Sequence, residues 1–202
     1  MPLALLKFME KIKQSIEASI QVKQLVLEDE ALLQVINKTI AAIVSSLKAG
    51  GRLYFCGNGG SAADAQHLAA EFSGRFYKDR KALAAEALHV NTSYITAVAN
   101  DYGFDVVYAR LVEGIMQNGD VLIGLSTSGN SANIVKAFEA AKANGIITVG
   151  FTGLTGGLLK SLSDYLINVP SADTPRIQES HILIGHIICQ FAEEQYFLSE
   201  EN

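Results

Sequence analysis

The chain has 202 residues, a net charge of −5 and a 49% hydrophobic fraction, enough to bury a sizeable core within one domain of ordinary size. The acidic balance excludes the basic footprint of a nucleic-acid binder. Two cysteines, Cys56 and Cys189, exclude a disulfide framework, and their apolar surroundings suit reduced core thiols in a cytoplasmic protein.

The opening stretch "MPLALLKFMEKIKQSI" meets Lys7, Glu10 and Lys11 before any long apolar run develops. It reads as an amphipathic helix rather than a signal peptide. No run of about 18 uncharged apolar residues follows, so no membrane span is expected. Residues 1–50 are helical in pattern. Ile16, Ile20, Leu25, Leu32, Ile36 and Ile40 recur at helical spacing, and the charges between them divide the region into two helices. "AGG" at 49–51 ends it.

Short β-rich runs then alternate with helical ones. "RLYFC" (52–56) predicts a buried strand, followed by a helix from about 60 to 76. "ALHV" (87–90) predicts a second, weaker strand, and helical patterns cover about 93–100 and 105–117. "DVLIGLS" (120–126) is a third strand, and "SANIVKAFEAAKANG" a helix stopped by Gly145. "ITVGFT" and "YLINVP" are further strands with the helical "GGLLKSLS" between them, and residues 174–199 form a last helix. This alternation predicts parallel strands with crossover helices, an α/β layered sandwich. No repeat, linker or low-complexity tract interrupts it.

In such a fold ligands sit beyond the carboxyl ends of the strands. Two strand-to-helix junctions have suitable chemistry, "GNGGS" (57–61) and "STSGNS" (126–131). In the second, Ser126, Thr127, Ser128 and Ser131 supply hydroxyls, Gly129 lets backbone N–H groups converge, and the next helix adds its positive dipole end. Such a loop can hold a phosphate with neutral donors alone, whereas an ordinary N-cap explains only one or two of the four hydroxyls. The first loop also matches G-x-G-x-x-A through Gly57, Gly59 and Ala62. A dinucleotide fold, however, packs an apolar helix there, and this helix carries Asp64, Gln66, His67 and Glu71; a Walker lysine is also missing.

His67 and Glu71 are four residues apart, on one helical face and about 6 Å from each other at Cβ. That spacing suits a shared metal, a joint acid–base task or a surface pair, and its place after a glycine loop favours the first two. The last helix carries Gln178, Glu179, His181 and His186 in "RIQESHILIGHIICQF". His181 reads as a core histidine. Gln178 and His186 are separated by about 12 Å of helix rise and ~80° of rotation. Either both lean inward to one ligand or they serve different sites at a subunit contact.

The segments "CGNGGSAADAQHLAAEFSGRF", "AVANDYGFD", "LIGLSTSGNSANIVKA" and "RIQESHILIGHIICQ" occur in that order over about residues 55–190. In this combination the chain resembles the sugar isomerase (SIS) family and, within it, the bacterial phosphoheptose isomerases. The resemblance implies a three-layer αβα sandwich on a five-stranded parallel sheet, with residues 51–199 as core and residues 1–50 used in oligomerisation. It implies a cytosolic homotetramer that converts sedoheptulose 7-phosphate into glycero-manno-heptose 7-phosphate, toward the heptose of lipopolysaccharide, with one zinc ion per subunit. Carried over residue by residue, Asn58, Gly59 and Gly60 contact substrate, and Asn100 and Asp101 line the sugar site. Ser126, Thr127, Ser128 and Ser131 cradle the phosphate. His67, Glu71, Gln178 and His186 become zinc ligands, with Glu71 and Gln178 also touching substrate and Glu71 and His186 forming the catalytic pair. A carboxylate bound tightly to zinc is a poorer base, so the two roles of Glu71 conflict unless its coordination is weak or changes during turnover. Other SIS relatives bind the bacterial replication initiator without catalysis; those typically lack equivalents of Glu71 and His186, both present here. Arg75, Tyr77 and Lys78 read equally as sugar contacts or as a solvated turn.

Overall fold

A computed structural model describes residues 3–198. Two helices, α1 (Leu3–Glu28) and α2 (Glu30–Lys48), precede a five-stranded parallel sheet of order β2-β1-β3-β4-β5. Its strands are β1 (Leu53–Gly57), β2 (Ala85–Ala87), β3 (Val121–Leu125), β4 (Ile147–Thr152) and β5 (Tyr165–Asn168). The connecting helices are α3 (Gly60–Ser73), α4 (Thr92–Tyr102), α5 (Val107–Ile115), α6 (Ala132–Ala143) and α7 (Leu159–Leu162), and α8 (Thr174–Phe197) closes the chain.

The sequence fits these elements physically. Every residue of β1 and β3 is buried, as expected of central parallel strands covered on both faces. The break between α1 and α2 falls at Asp29, whose carboxylate accepts from Leu32 N–H at 3.0 Å, an N-cap contributing about 1 kcal/mol. Leu32, Ile36, Ile40, Ile43 and Leu47 then form the buried stripe of α2. Among the described residues α2 is the one helix long and apolar enough to cross a membrane. Its stripe is instead packed in the core beside α8 and β5.

Two apolar layers result. One packs α2, α3 and α8 on the sheet around Phe55, Leu68, Phe72, Phe151 and Ile184, and the other packs α4 to α7 around Tyr54, Leu122, Ile134 and Phe138. Each fully buried side chain of this size contributes roughly 1.5–3 kcal/mol. The chain leaves β1 toward β2 through α3 and returns to build β3, β4 and β5 on the other side. Right-handed crossovers in opposite directions therefore put α3 and α6 on opposite faces. The crevice between the carboxyl ends of β1 and β3 is the switch point where an open α/β sheet binds its ligands.

Three expectations shift. The second strand is Ala85–Ala87 rather than 87–90: Ala85, Glu86 and Ala87 pair with Leu53, Tyr54 and Phe55, and Leu88 to Val90 turn away toward α4. The apolar "ALHV" suggested a strand, but an edge strand does not require an apolar face on both sides. The helix expected over 105–117 is a one-turn 3-10 helix, Phe104–Val106, followed by α5. The end of the last helix, expected at 199, is Phe197; residue 199 lies outside the described residues.

Candidate active site

The two loops at the switch point are tied together. The side-chain amides of Asn58 and Asn133 donate to each other's carbonyls at 2.9 and 2.8 Å, and Asn133 also accepts from Ile134 N–H at 3.0 Å. Tyr108 reaches under the first loop and donates to the Gly57 carbonyl at 2.6 Å; burial holds its phenol well above the ordinary range. Neither Asn133 nor Tyr108 was legible as a loop anchor, because each becomes one only when two separate crossovers meet.

In the second loop Ser126 and Ser131 face each other with hydroxyls 2.9 Å apart. Ser131 sits at the N-cap of α6 yet makes no side-chain cap. The Ser128 hydroxyl accepts from Asn130 N–H at 3.1 Å, leaving its proton available to an acceptor. Thr127 accepts through its carbonyl from Gly153 N–H at 2.9 Å, which ties the loop to the end of β4. A cleft of about 260 Å³ opens beside it, with Thr127, Ser128, Asn130, Thr155, Ser171 and Thr174 in its lining.

The titratable cluster lies between α3 and α8. His67 Nε2 is 2.9 Å from His186 Nε2 and 3.2 Å from Glu71 Oε1. The two imidazole rings meet edge to face with centroids 5.1 Å apart. The three residues present donor atoms that all lie within 4.8 Å of one another. Two aligned imidazole nitrogens form a hydrogen bond only if one is protonated and the other bare. Tetrahedral zinc with bonds of about 2.0–2.1 Å separates neighbouring donors by about 3.3 Å, and the His67–His186 and His67–Glu71 separations of 2.9 and 3.2 Å are close to that spacing.

The approach of the helices is set by small residues. A Cβ at Gly185 would lie 2.6 Å from Leu68 Cδ1, so only glycine lets α8 come this close to α3 one residue before His186. At the start of α3 a Cβ on Gly60 would lie 2.1 Å from Gln178 Nε2. Gln178 thus lies against the glycine loop at the start of α3. The helices run parallel, so Gln178 meets the first turn of α3 and His186 meets the second and third. Both lie along one seam, with Gln178 about two turns before His186.

Asp64, on the same face of α3, was outside the expected ligand set. Burial pushes its carboxyl above the usual range, while Gln178, His67 and His186 pull it back, and its Oδ2 is buried without a hydrogen-bond partner. His181 is the core histidine expected. It is fully buried, with Nε2 3.1 Å from the Thr152 carbonyl, and burial lowers its pKa to about 4. Cys56 and Cys189 are buried free thiols, raised by burial. Asn100 and Asp101 stand apart, exposed at the end of α4 in the opposite layer, with the Asn100 amide donating to Asp101 at 2.8 Å. Tyr77 and Lys78 offer their backbone N–H groups to Glu193.

A doubly wound parallel sheet with a hydroxyl-rich loop at its switch point and a histidine–glutamate cluster beside it defines an α/β protein of the small-ligand-binding class. A family model for the SIS domain matches residues 10–153. Phosphoheptose isomerases of Aneurinibacillus thermoaerophilus and Clostridium acetobutylicum are 52% and 49% identical over 186 residues, 92% of this chain and 94% and 95% of theirs. The solved phosphoheptose isomerase of Neisseria gonorrhoeae superposes with a TM-score of 0.87 at 40% identity, covering 93% of this chain and 99% of that one. The chain belongs to the SIS family and, within it, to the phosphoheptose isomerases.

Proposed function

We propose that this chain interconverts sedoheptulose 7-phosphate and glycero-manno-heptose 7-phosphate, supplying heptose for lipopolysaccharide in the cytoplasm. The observation that carries this reading is the convergence of His67, Glu71 and His186 in a chain about half identical to phosphoheptose isomerases along nearly its whole length.

The substrate's phosphate is assigned to Ser126, Thr127, Ser128 and Ser131 at the N-terminus of α6. The mutual pairing of Ser126 and Ser131, in place of a cap, supports this, since both hydroxyls turn together toward one point. Asn58, Gly59 and Gly60 line the reacting end of the sugar. Glu71 takes the proton from C1 of the ketose while His186 protonates O2, giving the enediol. His186 then removes the proton from O1 as Glu71 returns one to C2, and the aldose forms with no net gain or loss. His67, Glu71, Gln178 and His186 would hold zinc, which when bound supplies a positive charge next to the developing oxyanion.

Asn100 and Asp101 are assigned to a sugar site shared between subunits, which accounts for their distance from the seam. The exposed Phe8, Met9, Ile12, Ile16 and Ile20 of α1 support assembly through the N-terminal helices into a homotetramer. The test is direct incubation with sedoheptulose 7-phosphate, followed by NMR without nucleotide. Appearance of the aldose is the expected result. No aldose, together with binding to the replication initiator, would replace this reading with the non-catalytic one.

A further inference from the structure

Arg80 and Glu193 form an ion pair whose side chains are only 4% and 2% exposed. Arg80 Nε donates to Glu193 Oε1 at 2.8 Å. Its Nη1 donates to the carbonyls of Phe72, Gly74 and Lys81 at 2.7, 3.0 and 3.1 Å, and its Nη2 to the Glu71 carbonyl at 2.9 Å. The Glu193 carboxylate accepts in turn from the backbone N–H groups of Phe76, Tyr77 and Lys78 at 3.1, 2.9 and 2.9 Å. Burial raises this carboxyl, but these donors outweigh it and hold it below its usual range, so it is charged.

Stability alone does not explain such a pair, because well-packed apolar residues of similar volume often serve as well. Its contacts have a particular address. Arg80 grips the last turn of α3 at the carbonyl of Glu71 itself. Glu193 stands seven residues after His186, two turns along the same face of α8. The segment they jointly hold carries Phe76, whose ring lies 5.7 Å from that of His186. One bonded unit therefore joins the helix of Glu71 to the helix of His186 and shapes the wall beside them.

We propose that Arg80 and Glu193 are positioning residues that fix Glu71 and His186 relative to each other, and so tune metal affinity and turnover without touching substrate. This rests on the isomerase reading and adds the residues that set its geometry. Two variants test it. Glu193→Gln keeps the shape and removes the charge. The double variant Arg80→Met/Glu193→Leu leaves no unpaired charge but removes the pair's bonds to seven backbone groups, so its unfolding midpoint is read beside its zinc affinity. Zinc affinity by competition with a chromophoric chelator is measured beside kcat, KM and thermal unfolding.

Zinc affinity and kcat are expected to fall about 10–100-fold in the double variant, with KM within about two-fold because the phosphate loop on the other layer is untouched. Glu193→Gln, where folded, should follow the same pattern. A folded double variant with wild-type zinc affinity and kcat would overturn the proposal, and it would do so even if Glu193→Gln unfolds, since the pair would then only stabilise. Wild-type protein that binds zinc without isomerising anything, while the variants lose zinc, would defeat the isomerase reading and leave the positioning role standing.

Discussion

Gly60→Ala separates the space at the seam from the stability of the helix that bounds it. The new Cβ would meet Gln178 Nε2 at 2.1 Å and Cδ at 2.9 Å, where ordinary contact begins at 3.4 Å. The amide must therefore retreat by about 1.3 Å, which a flexible side chain does at little cost to the backbone. The retreat carries the amide away from Asp64, whose carboxyl it helps to draw down. Replacing glycine within a helix returns about 0.5–1 kcal/mol. The net change in stability is expected to stay within about 1 kcal/mol, or roughly 2–4 °C in Tm for a chain of this size. Function should suffer more than folding. With Gln178 displaced from the seam, zinc affinity is expected to fall about 10–100-fold. Thermal unfolding of the metal-free protein and zinc titration against a chelator measure the two effects separately. Unchanged zinc affinity would remove Gln178 from the ligand set, and a collapse of the fold would show that the approach at Gly60 is backbone-limited rather than side-chain-limited.

Glu71→Gln keeps an oxygen donor beside His67 and removes the base, so zinc content by mass spectrometry should be largely retained while turnover drops about 10²–10⁴-fold. Near-normal turnover would move the base to Asp64 or Asp101. Ser128→Ala removes a hydroxyl that binds only within its own loop, and substrate affinity should fall about ten-fold or more, the worth of one hydrogen bond to a charged group. The same substitution should leave the unfolding midpoint nearly unchanged. His181 is a base whose folded pKa, about 4, lies below its unfolded value of about 6.5. Its burial as a neutral ring therefore stabilises fully above pH ~6.5 and less as pH falls toward 4, with about 2 kcal/mol lost by pH 5. Denaturant titrations of wild type and His181→Asn at pH 7 and 5 should show the gap between them shrinking by that amount, and a constant gap would contradict it.

Much of this arrangement was legible before any coordinates, and the reasons differ from residue to residue. His67 and Glu71 share a helix, so their spacing alone puts them on one face, and they lie 3.2 Å apart. The central strands read clearly because their apolar runs are covered on both faces. The edge strand did not, because Ala85–Ala87 carries an exposed glutamate and two small residues. Helix spacing left open whether Gln178 and His186 share a ligand, since it says nothing about what packs alongside; α3 meets them at different turns, Gln178 at Gly60 and His186 at His67. Their seam depends on Gly60 and Gly185, where a missing Cβ leaves no pattern in sequence. Arg80 and Glu193 are 113 positions apart, and each alone resembles a solvated charge. The loop hydroxyls were readable as a group, whereas the Asn58–Asn133 pairing that fixes their frame required the switch point itself.

The exposed apolar row on α1 has the same character. Ile16 and Ile20 lie at helical spacing, as expected of an amphipathic helix, yet both are exposed. The start of α1's contact with α8 is polar: Ser19 donates to Glu179 at 2.6 Å, and Lys23 lies 3.6 Å from the same carboxylate. These bonds draw the Glu179 carboxyl below its usual range, with Ser19 the largest cause. The middle of the helix is thus held to α8 by polar contacts with Ile16 and Ile20 turned outward, while Val22 and Val26 nearer its end pack into the core.

Proton transfer by Glu71 at the α3–α8 seam is tested most directly by running the reaction with sedoheptulose 7-phosphate in D₂O and following it by NMR. Wild-type protein should produce the aldose with solvent deuterium at C2, because a partly exposed carboxylate exchanges its proton before returning one to the enediol. Glu71→Gln should give neither the aldose nor the label. Aldose formed equally well and equally labelled by Glu71→Gln would contradict proton transfer by this residue.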